Sequence, residues 1–176
     1  MNNEKKQRKY SYADGDVMDT YRYTVLLVDD EEAVIEVIMK KIDWEGLGFS
    51  VIGSANNGVK AFEMVEEYQP DVVMTDIKMP YMDGMELANR IKTEYPATKI
   101  LLFTGFDEFE YAKEAVHLEV EEYILKPVNA VELTNVFTQM KIKLDQEISE
   151  KRNAESLKKY YCLLYTSPSP RDTERS

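Results

Sequence analysis

The chain has 176 residues and only one cysteine, Cys162. An internal disulfide framework is therefore excluded, and this cysteine usage suits a reducing compartment. Its one histidine, His117, is read as a solvated surface residue on a predicted helix. No apolar run approaches the length of a membrane span, and no signal-peptide pattern is present, so the chain is read as cytoplasmic, with no membrane partner. Basic residues are in the minority: 22 Lys and Arg stand against 33 Asp and Glu, for a formal charge of −11. A surface of that sign disfavours nucleic acid as a direct partner of these residues. What the sequence does have is an apolar fraction of 44%, enough for the packed core of one domain with extensions.

The segment 72–80, Val-Val-Met-Thr-Asp-Ile-Lys-Met-Pro, organises the rest. It is a short apolar, β-branched run without polar alternation, the pattern of a strand buried on both faces, and it stops at Asp76. Three further runs end in polar groups. Val25 to Val28 ends in Asp29-Asp30-Glu31, Ile100 to Phe103 ends in Thr104-Gly105, and Tyr123 to Leu125 ends in Lys126-Pro127. In open α/β sheets the carboxyl edge of the strands is where ligands bind.

Taken in order, residues 1–22 are polar and aperiodic, with a basic cluster at 5–9, and read as a disordered leader. Met18 is a candidate start, with Met1 the alternative. Strands are predicted at 24–28, 49–55, 72–75, 99–103 and 122–125. Helices alternate with them over about 32–42, from the Asn57-Gly58 turn to 68, over 85–94 and 106–117, and from about Asn129 onward. Val59, Phe62, Met64 and Val65 are assigned mostly to one face of the second helix, and residues 44–48 to a turn. Strict alternation with short loops predicts a flavodoxin-like, doubly wound (βα)5 α/β fold with a parallel sheet in the order 2-1-3-4-5. Its switch point, between strands one and three, brings Asp29, Asp30 and Asp76 together.

Three carboxylates at one edge repel, which raises their pKa values unless a cation intervenes. Mg2+ takes oxygen ligands and leaves positions for phosphoryl oxygens. Lys126 supplies a fixed positive charge, Thr104 a hydroxyl donor, and Gly105 room beside it. The set suits phosphoryl transfer onto a carboxylate, working by positioning and electrostatics. Each residue also has a plain structural reading. Asp29 and Asp30 could cap the first helix, Thr104 the fourth, and Lys126 could be solvated. It is their coincidence at the ends of four strands that favours a site.

These residues carry a resemblance. Val28-Asp29-Asp30-Glu31, Asp76-Ile77-Lys78-Met79-Pro80 with Asp83-Gly84, Thr104-Gly105, and Tyr123 to Lys126-Pro127 resemble the receiver domain of bacterial two-component response regulators, over about residues 23–142. The resemblance implies that Asp76 is the phosphoacceptor. It implies that Asp30, Asp76 and the main-chain carbonyl of Lys78 bind Mg2+ directly, with Asp29 acting mainly through water. Thr104 and Lys126 would hold the phosphoryl group, Tyr123 would act with Thr104 as a switch, and the Lys126–Pro127 peptide would be cis. The partner implied is a sensor histidine kinase. The protein would be a signalling phosphoacceptor rather than an enzyme, and a homodimer on phosphorylation is left open. The stretch from Thr104 through Ala115, and the Ile42-Asp43-Trp44 turn, further resemble regulators with an AraC-type helix-turn-helix output. Phosphorylation would then switch the face made by the fourth helix, fifth strand and fifth helix, to control a DNA-binding domain absent from these residues. A stand-alone receiver, or one driving an enzyme, is the alternative. A haloacid-dehalogenase-like phosphatase fits less well, because it would want a second aspartate where Lys78 stands. A flavodoxin-like cofactor binder would have its phosphate repelled by Asp29, Asp30 and Glu31.

The fifth helix is expected to continue. Leu133, Phe137, Met140, Leu144 and Ile148 recur at helical spacing, and residues 143–161 read as a linker helix. Residues 162–172 resemble a translated transposase-type sequencing adapter, so 162–176 are expected to stand outside the fold.

Overall fold

A computed structural model of the protein describes residues 22–105, 107, 108, 110, 113 and 119–166. Five strands form one sheet: β1 (Tyr23–Val28), β2 (Phe49–Ala55), β3 (Val72–Thr75), β4 (Lys99–Thr104) and β5 (Glu122–Leu125). All pairings are parallel and the order is β2-β1-β3-β4-β5, as the strand–helix alternation predicts. The described helices are α1 (Glu32–Lys41), α2 (Trp44–Leu47), α3 (Gly58–Tyr68), α4 (Gly84–Glu94) and α5 (Ala130–Thr166). The leader and the end of the chain lie outside the described residues. So does most of the helix predicted over 106–117, including His117, although Asp107, Glu108, Glu110 and Lys113 are helical.

The sheet is buried on both sides, which is why its central strands are continuously apolar. Every residue of β3 is buried. Leu26, Val28, Val73, Ile100 and Leu102 form one core with Ala61, Phe62 and Val65 of α3 and Leu87, Ala88 and Ile91 of α4. Because side chains alternate along a strand, the residues between them face the other way. On that side Phe137 of α5 stands edge-on to Phe49 and Trp44, with ring centroids 5.2 and 4.8 Å apart. The chain divides into two compact units, residues 1–137 and 138–176, and the carboxylate edge lies wholly in the first. In the second, helix α5 exposes Leu157, Tyr160 and Tyr161 and continues without a break through Tyr165 to Thr166, into the stretch expected to stand outside the fold.

Three local readings are corrected. Residues 44–48 form the short helix α2 rather than a plain turn. Asp43 caps it by accepting from the Gly46 N–H at 3.1 Å, and Gly48 closes it in the left-handed region at φ 83°. One turn is too short to show a period, so the sequence pattern could not reveal it. In α3 the buried stripe is Gly58, Ala61, Phe62 and Val65, while Val59 is 43% exposed. Ala61 is small enough to be overlooked in an apolar count, yet it lies one turn from Val65. Strand β4 runs one residue further than predicted and takes in Thr104. Among the described residues, no helix is long and apolar enough to cross a membrane.

Candidate functional site

Strand register builds the site. Val28 pairs with Ala55 on one side and Thr75 on the other, so Asp29 and Asp76 emerge side by side just past the ladder. Their amides continue it: Asp29 N–H donates to the Ala55 carbonyl at 3.1 Å and Asp76 N–H to the Val28 carbonyl at 2.9 Å. Across β4, Thr104 pairs with Leu125, and Lys126 N–H donates to the Thr104 carbonyl at 2.7 Å. Four residues distant in sequence are thereby fixed by main-chain bonds before any side chain is considered.

The side chains then meet. Lys126 Nζ donates to Asp29 Oδ2 at 2.9 Å and to Asp76 Oδ2 at 3.2 Å. Both carboxylates are almost wholly buried, with side-chain exposures of 1% and 8%, and the lysine retains 20%. Its ammonium also lies 5.0 Å from the Phe103 ring centroid, a favourable cation–π position. The other oxygens are held by nearby amides, Asp29 Oδ1 by Glu31 N–H at 2.9 Å and Asp76 Oδ1 by Ile77 N–H at 2.8 Å. Asp29 thus contributes a local turn contact, while the first residue flanking α1 is Glu31, whose side chain makes no cap. Asp30 is exposed, and one carboxylate oxygen from each of Asp29, Asp30 and Asp76 falls within 4.8 Å of the others.

Electrostatics follow from this packing. Burial pushes the Asp76 carboxyl above its ordinary value. The Lys126 charge opposes that shift and the Asp29 charge adds to it, leaving the pKa raised. Burial alone would lower the Lys126 ammonium. Its hydrogen bond to Asp29 and the charges of Asp76 and Asp29 outweigh that, so it titrates higher than an ordinary lysine. Three carboxylates and one ammonium leave two negative charges uncompensated, the balance a divalent cation completes. An all-oxygen donor set fits a hard cation such as Mg2+, with Asp29, Asp30 and Asp76 as the available carboxylates.

Thr104 is fully buried and Tyr123 is half-buried, its phenol pushed up by burial. Lys78 is exposed at the rim, two residues past Asp76. The Lys126–Pro127 peptide is cis, as the resemblance leads one to expect. The sequence reading assigned no structural role to two contributors. Gly84 entered it only beside Asp83 as part of the resemblance, but a Cβ there would lie 2.0 Å from the Asp76 carbonyl oxygen, and its N–H donates to the Ile77 carbonyl at 2.7 Å. It lets the start of α4, capped by Asp83, press against the loop that follows Asp76. Glu108, quoted only within the Thr104–Ala115 stretch, accepts from the Thr104 hydroxyl.

Comparison with known proteins bears on the family and the fold. The sequence profile of the response regulator receiver domain matches residues 25–138. The transcriptional regulatory protein YesN of Bacillus subtilis (strain 168) is 39% identical over 136 residues, which is 77% of this chain and 37% of YesN. The chain thus spans well under half the length of that relative. The REC domain of AraT, a response regulator from Geobacillus stearothermophilus, is 38% identical with a TM-score of 0.68, covering 71% of this chain and 97% of that one. A two component transcriptional regulator AraC from Clostridium phytofermentans ISDg is 31% identical with a TM-score of 0.66, covering 70% and 96%. The match to the profile over most of the chain, together with these relatives, identifies it as a member of the response regulator receiver domain family.

Proposed function

We propose that Asp76 accepts a phosphoryl group from a partner histidine kinase and that the modified domain controls transcription. One observation carries this reading: two buried carboxylates share the Lys126 ammonium beside a third, in a site with two unbalanced negative charges. An Asp76 oxygen attacks phosphorus. The new O–P bond forms as the bond to the donor breaks, and the leaving group takes that electron pair. Lys126 and the Thr104 hydroxyl are the donors available to the transferred oxygens. Asp30, Asp76 and the Lys78 carbonyl would hold Mg2+, with Asp29 mainly through water; when bound, the ion neutralises charge on the transferring group. Asp29 keeps Lys126 in place by its 2.9 Å contact.

Modification replaces the single Asp76 carboxylate charge with about 1.5–2 negative charges on the phosphoryl group. Thr104 and Tyr123 would then carry the change to the face around β5, with residues 143–161 linking the receiver at 23–142 to its output. The relatives' names and the greater length of YesN support a DNA-binding output beyond the 176 residues. A charge of −11 supports placing DNA contact in that other segment. The test is incubation with acetyl phosphate and Mg2+ followed by intact-mass measurement. Wild-type protein gains one phosphoryl group and Asp76→Asn gains none. Full labelling of Asp76→Asn would sink the assignment. A full-length sequence that runs into an enzyme would overturn the transcriptional part alone.

A further inference from the structure

The Thr104 hydroxyl is engaged in the unmodified protein. It donates to Glu108 Oε2 at 3.4 Å, and the carboxylate sits over Gly105, where a Cβ would meet the same oxygen at 2.8 Å. A side chain at 105 would crowd that carboxylate and oblige it to shift. We infer that Glu108 is a positioning residue whose carboxylate holds the Thr104 hydroxyl away from an incoming phosphoryl group and must release it before Thr104 can bind that group. This rests on the reading of Asp76 as phosphoacceptor.

The argument begins with the hydroxyl, which has a single proton to donate. While that proton points at Glu108 it is unavailable to a phosphoryl oxygen, so the two acceptors compete. Thr104 offers little other freedom. Its main-chain carbonyl is tied to Lys126 N–H at 2.7 Å and it ends a fully buried strand segment, leaving rotation about χ1 as the way to exchange partners. The existing contact is also weak. At 3.4 Å it lies beyond the usual range of about 2.5–3.0 Å for O–H···O bonds, whereas a hydrogen bond to a charged phosphoryl oxygen would be short and strong. Finally, the incoming group and Glu108 carry the same sign, so modification favours the departure of Glu108. A contact present only in the unmodified state biases the equilibrium toward that state, and by linkage its removal must favour the modified one.

The experiment uses the 176-residue protein, acetyl phosphate and Mg2+. Glu108→Ala is expected to label at Asp76 about threefold to tenfold faster than wild type, the range one modest hydrogen bond allows. Glu108→Gln keeps the volume and an acceptor but not the charge, and should be intermediate; it carries the test if the alanine variant does not fold. In a Thr104→Val background the acceleration should shrink to what relief of like charge alone supplies, because Glu108 then has no hydroxyl to hold. Equal rates for wild type and both Glu108 variants would overturn the inference. So would an acceleration that persists undiminished with Thr104→Val, which would mean simple charge repulsion. Failure of wild type itself to label would instead remove the Asp76 reading on which the inference stands.

Discussion

Replacing Gly84 by alanine sets two effects of opposite sign against each other. The residue opens α4 and has no positive φ, so alanine meets no conformational strain there. Helix propensity alone would then favour alanine by about 1 kcal/mol. The contact predicts the reverse. The new Cβ would lie 2.0 Å from the Asp76 carbonyl oxygen, about 1 Å inside the 3.0 Å that real Cβ atoms keep, and 2.9 Å from Ile77 Cα. Both neighbours are main chain and cannot swing away as a side chain can. Overpacking of this kind costs about 1–3 kcal/mol. Pushing α4 back also stretches the 2.7 Å bond from Gly84 N–H to the Ile77 carbonyl, worth about 0.5–1.5 kcal/mol. The net expectation is destabilisation by about 0.5–3.5 kcal/mol, read as a lower urea midpoint at unchanged slope. Because the shift falls on the main chain of Asp76, phosphoryl transfer should fall further, by about a hundredfold for a 1 Å displacement of the reacting group. The variant would be assayed by urea titration and by the initial rate of labelling with acetyl phosphate. A gain in stability near 1 kcal/mol, with labelling unchanged, would show that Gly84 is an ordinary helix glycine and that the close approach does not matter.

Other expectations concern the same edge. In divalent-free buffer, Asp76→Asn should be more stable than wild type at neutral pH. The carboxyl has a raised folded pKa, so its favourable protonated contribution is full below the unfolded value near 3.8 and is lost as pH rises through the folded one. The advantage of the variant should therefore shrink on acidification, and a wild type more stable at neutral pH would contradict this. Mg2+ should stabilise wild type by about 1.4 kcal/mol at ten times its dissociation constant, reversibly with chelator, and Asp30→Asn should weaken this; a thermal midpoint unmoved by Mg2+ would argue against a metal site. Lys78, exposed at the mouth of the site, is expected to tune the lifetime of the phosphoryl group. Identical dephosphorylation rates for Lys78→Ala and wild type would remove that role.

The sequence by itself determined the strand pattern and which polar residues end the strands. Val72 to Met74 could be read as a two-face-buried strand because parallel strands are apolar throughout, and the short loops left a right-handed alternation as the natural winding. From that order alone, Asp29, Asp30, Asp76, Thr104 and Lys126 were expected at one edge, because topology carries every strand end of a parallel sheet to the same side. Only the tertiary structure decided how they meet. That Lys126 bridges Asp29 and Asp76, while Asp30 stays exposed, depends on distances of 2.9 and 3.2 Å between residues 97 and 50 positions apart. No local pattern encodes such distances. The close approach of Gly84 to Asp76 and the reach of Glu108 over Gly105 to Thr104 were hidden for the same reason. Each is a matter of which atom occupies a space, and periodicity reports the face on which a residue lies, not its neighbour across the loop.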